Sequence, residues 1–468
     1  MFETIISIAF YISTVVTLFI CMLPSQYGAE NPAAKEESAA KDDSSPPKTT
    51  AQILVLGDIG RSPRMQYHAL SIARGGGQVD IIGYHESELH PDISSHPRIS
   101  IVALPPHPAY LQTSNKLLFL LFAPLKVLFQ VACLWTALAY RTKPAKWLLV
   151  QNPPSIPSLA IASAVCFLRQ TFLVIDWHNF GYTILALKLG DAHPLVRIAK
   201  WYERRFCRSA TAHLCVTSAM ASVLRKDFRL QAPVLPLHDR PASHLRPIAD
   251  TNTRRDFLAA LPEAESVRPL ILSGEIRVLV SSTSWTADED FSLLIDALCQ
   301  YSELSRSSKS DLPPILALIT GKGPQKEMYV NRIAELERAG RLENVTIRTA
   351  WLSTADYARL LASASLGVSL HTSSSGVDLP MKVVDMFGAG LPVVGWNRFE
   401  AWPELVTEGL NGRGFGSSEE LVEQLVELFG DPKKLENLRT GALEESNRRW
   451  DDEWKPVAGK LLGLYAQA

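Results

Sequence analysis

The stretch LGVSLHTSSSGVDLPMKVVDMFGAGLPVVG, residues 366–395, contains two apolar runs of strand length with one helical pattern between them. The first run ends at Leu370 and leads into a loop of Ser and Gly residues. Pro380 stands where a first helical turn tolerates proline, and Gly388 and Gly390 end the helical pattern before the next run. A strand, a helix and a second strand in this order form one unit of a parallel sheet. The stretch therefore predicts an α/β fold.

The same alternation of apolar runs and helical patterns extends along the chain in both directions. Such runs predict buried parallel strands, covered by helices on both faces of a sheet. They lie at 53–56, 79–84, 99–104, 147–150, 172–176 and 213–216, and again at 277–281, 315–319, 345–349, 366–370 and 392–395. Two doubly wound Rossmann-like domains in series are predicted. Ligands of such sheets bind at the carboxyl ends of the strands, so a cleft faced by both domains is the expected site.

Length and composition exclude several classes of protein. A chain of 468 residues with 47% hydrophobic content is too long for one compact core. The 47 Lys and Arg residues nearly balance the 48 Asp and Glu residues, which predicts no surface for nucleic acid. The six cysteines form no CxxC pair, which argues against a zinc site or a disulfide framework and favours a reducing compartment.

The N-terminus has the composition of a membrane anchor. Residues 4–23 carry no charge and are long enough to cross a bilayer as a helix. A cleaved signal peptide is not favoured, because Met-Phe-Glu precedes the apolar run and no small-residue cleavage site follows it. Three lysines beyond the run predict that the main body lies in the cytosol, where the sequon at Asn344 would stay unmodified: Lys35, Lys41 and Lys48.

Composition also divides the remaining chain. A segment rich in Ala, Ser, Pro and charge follows the anchor and is predicted to be an unfolded tether. The predicted organisation is an anchor over 1–24, a tether over 25–50, a first domain over 51–245, a linker over 246–272, a second domain over 273–445 and a C-terminal helix over 446–468.

The segment 117–138 is unusually apolar for a soluble domain. Pro124 and Lys126 interrupt it, and predicted strands lie on both sides of it. An interfacial helix in the lipid headgroup region is favoured. A buried core helix is the alternative, and a second membrane crossing would place two halves of one sheet on opposite sides of the bilayer.

A loop with two glycines follows the first predicted strand. Gly57, Asp58, Gly60 and Arg61 open the first helix, where backbone amides and the helix dipole attract an anion. The dinucleotide fingerprint GxGxxG is absent, and Asp80 lies at the start of its strand instead of at its end. The loop is a candidate phosphate or acceptor loop, with a plain tight turn as the alternative.

The opening stretch resembles the donor-nucleotide element of GT-B glycosyltransferases. A strand, an acid in the loop, Leu-Pro, a second acid in the helix and GxGxPVV occur in that order. The resemblance implies that Asp385 binds the ribose, that Asp378 faces the sugar and phosphates, and that Lys382 and Ser284 also lie at the donor. The two aspartates are seven positions apart, whereas the common form has two glutamates eight apart, so the assignment of Asp378 is the less secure one.

A second loop of the same domain, at 320–324, is similar to the G-x-G-P turn of these enzymes. A departing nucleotide diphosphate develops negative charge, which requires a cation. Lys322 beside Gly323 is the candidate, with a solvated turn lysine as the alternative. The residues Glu404 to Gly412 match the loop that closes this domain in the same enzymes.

An Asp-x-Asp triplet lies at 288–290, ahead of an apolar helical pattern. A helix start, where acids complement the dipole, is favoured over a metal site. No metal or other cofactor is predicted to be required, and a divalent cation is at most a stimulant.

Segments of the first domain resemble the chitobiosyldiphosphodolichol β-mannosyltransferase family. They are IDWHNFGY at 175–182, GDIGRSPRMQYHA at 57–69, the pair Tyr202-Glu203 and HDRP at 238–241, and the likeness covers about residues 52–450. It implies transfer of mannose from GDP-mannose to the 4-hydroxyl of the terminal GlcNAc on dolichyl diphosphate chitobiose, with a β linkage, in N-glycan precursor assembly. It also implies a single-pass protein at the cytoplasmic face of the endoplasmic reticulum membrane, with other mannosyltransferases of the pathway as further candidate partners.

Formation of a β linkage from an α-linked donor requires a base opposite the departing diphosphate. His178, Asp58 and His68 are the candidates on the acceptor side, and the alternative for His178 is to hold the donor mannose. Two other functions stay open: another membrane-bound GT-B transferase with a different sugar or linkage, and a noncatalytic GT-B-like membrane recruiter. Both halves of the fold are present and the donor elements are intact in the sequence, which disfavours the recruiter.

Overall fold

The computed structural model of the chain describes residues 2–28, 46–108, 116–286, 289–307 and 311–466. Two parallel sheets are present, and the chain divides into two compact units. The first unit comprises Met1–Leu214, Leu224–Leu235 and Trp454–Ala468, and the second comprises Cys215–Val223 and Pro236–Glu453. The predicted pair of Rossmann-like domains is confirmed.

The first unit is built on a seven-stranded sheet with the order β3-β2-β1-β4-β5-β6-β7. Its strands are β1 Thr50–Asp58, β2 Gln78–Tyr84, β3 Ile99–Ala103, β4 Trp147–Asn152, β5 Phe172–Trp177, β6 Ala212–Cys215 and β7 Val234–Pro236. The helices described up to its last strand are α1 Phe2–Cys21, α2 Pro63–Arg74, α3 Pro91–Ser95, α4 Lys116–Thr136, α5 Ser158–Arg169, α6 Gly181–Leu189, α7 Pro194–Phe206 and α8 Ser218–Lys226. The strand order reverses beside β1, which pairs in parallel with both β2 and β4. Ligands of open α/β sheets generally bind at such a point.

The second unit is built on a six-stranded sheet with the order β10-β9-β8-β11-β12-β13. Its strands are β8 Arg277–Ser282, β9 Ile315–Thr320, β10 Val345–Ala350, β11 Leu366–Ser369, β12 Val393–Trp396 and β13 Gly412–Phe415. The helices from the linker onward are α9 Thr251–Ala260, α10 Arg268–Ser273, α11 Ser292–Ser307, α12 Lys326–Arg338, α13 Thr354–Ser363, α14 Met381–Gly388, α15 Ser418–Gly430, α16 Pro432–Glu445 and α17 Trp450–Trp454.

Every predicted strand is present, with ends that differ by a few residues. Two short strands were not predicted, β7 and β13, and each lies at the edge of its sheet. Short edge strands carry too few apolar residues to produce a pattern. The central strands are mostly buried and apolar because helices cover both faces of each sheet.

The predicted linker over 246–272 is not a separate connection between the domains. It forms α9, a 3-10 turn and α10, all of which belong to the second unit. The guanidinium of Arg359 lies 4.3 Å from the ring centroid of Phe257, which fastens α9 to α13. The second unit also takes in 236–245, so the predicted boundary at 245 lies too late in the chain.

The predicted C-terminal helix over 446–468 is wrong as a part that follows the second domain. The helix α17 ends at Trp454, and the chain from Trp454 onward belongs to the first unit. Trp454 is fully buried there, and its indole Nε1 donates to Nδ1 of His68 over 2.9 Å. The C-terminal segment therefore completes the core of the N-terminal unit.

The N-terminal apolar run forms the helix α1, and its side chains at Phe10, Tyr11 and Val15 are exposed. The predicted tether begins too early, because Tyr27 N donates to Arg169 O over 2.7 Å and Arg169 Nε donates to Ser25 O over 3.0 Å. Residues 29–45 of the tether lie outside the described residues. The membrane anchor stays a prediction.

The apolar segment after β3 forms α4 and a π-turn. Among the described residues, Phe122–Arg141 is long and apolar enough to cross a membrane, and only 22% of it is buried. Leu125 and Leu128 are exposed, whereas Leu134 and Leu138 are buried. A fully buried core helix is therefore wrong, and the interfacial position stays a prediction.

Candidate active site

In the first unit, Asp176 is the centre of a buried polar cluster. It lies at the carboxyl end of β5, where no part of its side chain reaches solvent. Arg64 in α2 donates to both carboxylate oxygens, from Nε to Oδ2 over 2.7 Å and from a terminal nitrogen to Oδ1 over 2.9 Å. This two-point ion pair holds the carboxylate plane in one orientation.

Two histidines contact the same carboxylate. Nε2 of His178 lies 2.8 Å from Oδ2 of Asp176, and Nε2 of His68 lies 3.3 Å from it. The indole of Trp454 can only donate, so Nδ1 of His68 accepts and the proton of His68 is on Nε2, toward Asp176. His68 is fully buried, whereas His178 is about one quarter exposed.

The protonation states follow from these contacts. Burial by itself raises the pKa of Asp176, but Arg64, His178 and His68 outweigh it and hold that pKa well below its usual range. Burial lowers the pKa of His68, which keeps its ring neutral. Of the three predicted bases, His178 alone combines a carboxylate partner with access from solvent. His68 is a positioning residue for Asp176.

The loop after β1 brings Asp58, Gly60 and Arg61 together. Asp58 accepts from the backbone of Gly60, Glu86 and Ser87 and from the Ser87 hydroxyl. Burial raises its pKa, but these hydrogen bonds outweigh that effect and lower it. Both oxygens are occupied, so the geometry favours a loop-holding role over proton transfer.

The glycines of this loop have different surroundings. A Cβ at Gly60 would lie 2.6 Å from Glu88 O, so only glycine lets the two loops approach. A Cβ at Gly57 would meet only ordinary contacts. The Arg61 side chain is 81% exposed, which leaves its guanidinium accessible to a ligand.

Glu203 in α7 holds the end of the loop that contains His178. Its Oε1 accepts the backbone N–H of Gly181 over 2.8 Å, at the start of α6. Burial raises the pKa of Glu203 to about 7, and hydrogen bonds from Gly181, Ser155 and Asn152 limit the rise.

In the second unit, Asp385 is a half-buried carboxylate with no internal partner. Burial raises its pKa to about 7, and no group in the described part of the chain donates a hydrogen bond to it. It lies in α14, three positions after Lys382, so both side chains lie on one face of the helix. An unsatisfied carboxylate in this place suits the hydroxyls of a ligand.

Lys382 and Ser284 are brought together by a third residue, Glu289. The ammonium of Lys382 donates to Oε1 of Glu289 and lies 3.4 Å from Oγ of Ser284. Oε2 of Glu289 accepts from Ser284 N over 2.6 Å and from Thr283 Oγ1 over 2.8 Å. Glu289 is only 3% exposed, so the ion pair ties α14 to the loop after β8.

Asp378 has a different position from Asp385. Its Oδ1 accepts from the hydroxyls of Ser373 and Ser375, and His371 Nε2 lies 3.0 Å from Oδ2. Burial raises its pKa, but His371 and the Ser373 hydroxyl outweigh burial and lower it. The carboxylate organises the loop before α14, and its oxygens are already occupied.

The predicted G-x-G turn at Lys322 packs against the loop after β8. A Cβ at Gly321, whose φ is +128°, would lie 1.8 Å from Thr283 O, and one at Gly323 would lie 1.7 Å from Ser284 O. Both glycines are therefore required for this approach. The ammonium of Lys322 lies 3.8 Å from the ring centroid of Trp351, which holds the cation in place by a cation–π contact.

The Asp-x-Asp triplet divides into two parts. Asp290 Oδ1 accepts from Ser292 N over 3.0 Å at the start of α11, as a helix-start acid does. Asp288 lies outside the described residues. Within the described ranges, no group of three His, Cys, Asp or Glu side chains is placed to hold a metal ion.

The predicted closing loop contains an acid with several partners. Glu404 accepts from the backbone N–H groups of Ser218 and Ala219 over 2.6 and 2.7 Å, at the N-terminus of α8. Nε2 of His238, in the HDRP segment, lies 2.8 Å from Oε2 of Glu404. This loop is held by its own unit, with Glu404 as the anchor residue.

Residue types alone did not predict Asp176 or Glu289 as site residues. Asp176 interrupts a buried apolar strand, and an acid at such a position needs a paired cation, which is a signal that the sequence carries. Glu289 lies in the loop attributed to a helix start, and its partner Lys382 is 93 positions away. No local pattern connects the two.

Two sequence families match the chain. Residues 277–431 match "Glycosyl transferases group 1", and residues 60–238 match "Glycosyl transferase 4-like domain". The chain is 57% identical over 380 residues to an Arthroderma benhamiae protein named "Chitobiosyldiphosphodolichol beta-mannosyltransferase". The aligned residues cover 81% of this chain and 85% of that protein. A Yarrowia lipolytica protein with the same name is 45% identical over 423 residues, which cover 89% and 87% of the two chains.

The fold is also similar to that of solved structures. The crystal structure of Anabaena HepE in complex with UDP and glucose superposes with a TM-score of 0.57 at 18% identity. The superposition covers 86% of this chain and 96% of that one. At this identity the likeness shows the two-domain glycosyltransferase fold.

Proposed function

The chain belongs to the family of chitobiosyldiphosphodolichol beta-mannosyltransferases, and we propose that it transfers mannose from GDP-mannose to the chitobiose of a dolichyl diphosphate. The structural observation that carries the proposal is the unsatisfied carboxylate of Asp385 beside Lys382 on one face of α14. It offers acceptors for ribose hydroxyls one turn behind a helix N-terminus that suits a diphosphate.

The donor diphosphate meets two lysines in this proposal. Lys382 is paired with Glu289, so a bound diphosphate competes with that carboxylate for the ammonium. Lys322 is held over Trp351 without a carboxylate partner in the described part of the chain. The two cations stabilise the charge that develops on the departing GDP.

The proton is taken up in the first unit. In this proposal the Nε2–H of His178 donates to Asp176, which leaves the lone pair of the ring on Nδ1. The acceptor 4-hydroxyl oxygen forms a bond to C1 of mannose while the bond from C1 to the diphosphate oxygen breaks. Nδ1 of His178 takes the hydroxyl proton, GDP leaves with the electron pair, and the configuration at C1 inverts.

The site is proposed to work at a membrane. The acceptor is a lipid, and α1 and α4 both present apolar side chains that the described part of the chain leaves exposed. We place the body on the cytoplasmic face of the endoplasmic reticulum, with α1 retained as a single-pass anchor. A mature N-terminus that begins after Leu23, or glycan attached to Asn344 in cells, contradicts this topology.

Transfer by the purified full chain tests the proposed function. The protein is incubated with GDP-mannose and a chitobiosyl diphosphate lipid, and the product is digested with β-mannosidase or α-mannosidase. The proposal expects release by β-mannosidase alone. UDP-glucose as the donor should give no product, and Asp385→Asn should reduce donor binding.

Each other result rejects a defined part of the proposal. Release by α-mannosidase rejects the linkage, and transfer from UDP-glucose rejects the donor. Absence of transfer with every donor leaves the noncatalytic recruiter as the function.

A further inference from the structure

The helix α7 has two apolar faces. Val196 and Ala199 point into the unit and are buried. On another face, Leu195 is 51% exposed, Ile198 is 53% exposed and Trp201 is 61% exposed, at a spacing of three residues. A surface helix of a soluble protein normally presents polar residues there. Nothing in the described chain covers these three side chains.

The neighbouring helix α6 also carries exposed apolar side chains. Ile184 and Leu187 are exposed, and α6 and α7 are joined where Gly181 N donates to Glu203. We call five of the exposed apolar side chains of these two helices the α6–α7 surface: Ile184, Leu187, Leu195, Ile198 and Trp201. A contiguous apolar patch with a charged margin marks a contact surface.

Exposed basic residues accompany the α6–α7 surface in the same stretch of chain. Four cationic side chains in residues 181–209 are exposed: Lys188, Arg197, Arg205 and Arg208. Asp191 is the single exposed acid in that range, since Glu203 is buried. A tryptophan among aliphatic residues, with cations at the margin, suits the headgroup region of an anionic bilayer.

We propose that the α6–α7 surface docks the first unit on an anionic lipid bilayer. The inference rests on the proposed function, because docking on the bilayer would bring the site to its lipid-linked acceptor. His178 lies three residues before α6, and the Gly181–Glu203 hydrogen bond fixes α6 on α7. Docking therefore sets the height of His178 above the headgroups, where the diphosphate-linked sugar lies.

Tryptophan fluorescence of the full chain in lipid nanodiscs tests the docking directly. The discs contain phosphatidylinositol and phosphatidylcholine with brominated acyl chains, which quench a tryptophan in contact with the bilayer. Trp201→Phe should remove a large part of the quenchable emission. Trp351 is equally exposed but lies in the second unit, so Trp351→Phe should leave the quenchable emission unchanged.

Replacing phosphatidylinositol with phosphatidylcholine should reduce the quenching of Trp201. A protein partner as the occupant predicts no quenching of Trp201 in these partner-free discs. That result overturns the proposal, and so does quenching that is the same in wild type and Trp201→Phe. The measurement does not depend on transfer activity, so it stands apart from the test of the proposed function.

Transfer rates give the second test. The triple variant replaces Leu195, Ile198 and Trp201 by Ser. Its transfer to the lipid acceptor in vesicles should be lower by about tenfold or more, because burial of each of these side chains contributes about tenfold to membrane partitioning. Transfer to a water-soluble chitobiosyl diphosphate should change by less than about twofold. The matched control replaces Leu304 and Met328, which are exposed in the second unit, by Ser.

An equal loss with both acceptors means that the triple variant damages the fold, and it overturns the membrane assignment of these residues. An equal loss of transfer to the lipid acceptor in the matched control also overturns the membrane assignment. Absence of transfer by the wild type with either acceptor rejects the proposed function, while the fluorescence result still decides the docking.

Discussion

Nε2 of His178 lies 2.8 Å from Oδ2 of Asp176, on a carboxylate that Arg64 already holds at both oxygens. Asp176 orients the ring of His178. Because Arg64 already occupies both oxygens of Asp176, this carboxylate is not free to take the proton of His178. The arrangement joins a residue in α2 to two residues at the end of β5, and it supplies the base of the proposed reaction.

We predict that His178→Gln lowers kcat by roughly 10²–10⁴-fold, the usual contribution of a positioned base. Gln keeps a hydrogen bond to Asp176 but cannot accept the hydroxyl proton. The affinity for GDP-mannose, measured by titration calorimetry, should stay the same. His96→Gln in the same unit is the control. A large loss of donor affinity with little change in kcat would instead place His178 on the donor mannose.

We predict that Asp385→Asn weakens GDP-mannose binding by about ten- to a hundredfold, because a hydrogen bond to a charged group contributes roughly 1.5–3 kcal/mol. The ribose interaction persists through the reaction, so turnover at saturating donor should fall much less. Binding of the lipid acceptor should hardly change. Wild-type donor affinity with lost turnover would assign Asp385 to the chemistry.

Donor binding should also depend on pH through Asp385. The pKa of its carboxyl is about 7 without ligand, and hydroxyl donors favour the ionised form, so the pKa falls on binding. Affinity should therefore be full above pH 7 and should fall about tenfold as the pH decreases from 8 to 6. GDP-mannose is used as the probe instead of GDP, because the terminal phosphate of GDP itself titrates near pH 6. Asp385→Asn should bind with a flat profile.

We predict that Gly323→Ala disrupts the donor loop. A Cβ there would lie 1.7 Å from Ser284 O, so the loops after β8 and β9 must separate, at a cost of about 1–3 kcal/mol. The change should appear as a lower Tm and a donor affinity at least about tenfold weaker. Gly430→Ala is the matched control, since its Cβ would meet only a contact at 3.5 Å. Unchanged donor affinity in Gly323→Ala would separate this turn from the donor site.

We predict that Glu203→Gln stabilises the protein at high pH. The folded-state pKa of about 7 is above the ordinary 4.5, so the folded state favours the neutral acid. That stability is complete below pH 4.5 and is lost as the pH rises through 7, by at most about 3 kcal/mol. Gln is neutral and can still accept from Gly181. The variant should have a higher Tm than wild type at pH 8 and a similar Tm near pH 5; equal Tm values at both would contradict the buried neutral acid.

The succession of strands and helices could be read from the sequence, because each apolar run and each amphipathic pattern reflects local burial. The same locality explains why the positions of Asp385 and Lys382 in a helix and of Lys322 in a loop could be predicted, while their roles at the donor stay predictions. The short edge strands β7 and β13 were not predicted, because three or four residues cannot show a hydrophobic period.

The two-domain α/β fold and the family could be predicted from the sequence, since both depend on motifs within single β-α-β units. Which distant residues meet depends on the tertiary structure. Arg64 reaches Asp176 across 112 positions, Lys382 reaches Glu289 across 93, and Trp454 reaches His68 across 386. Parallel strands bring the ends of remote segments to one edge, and the pairing there depends on the order of strands in the sheet. That order has no local signature, because it is set by the packing of the whole unit.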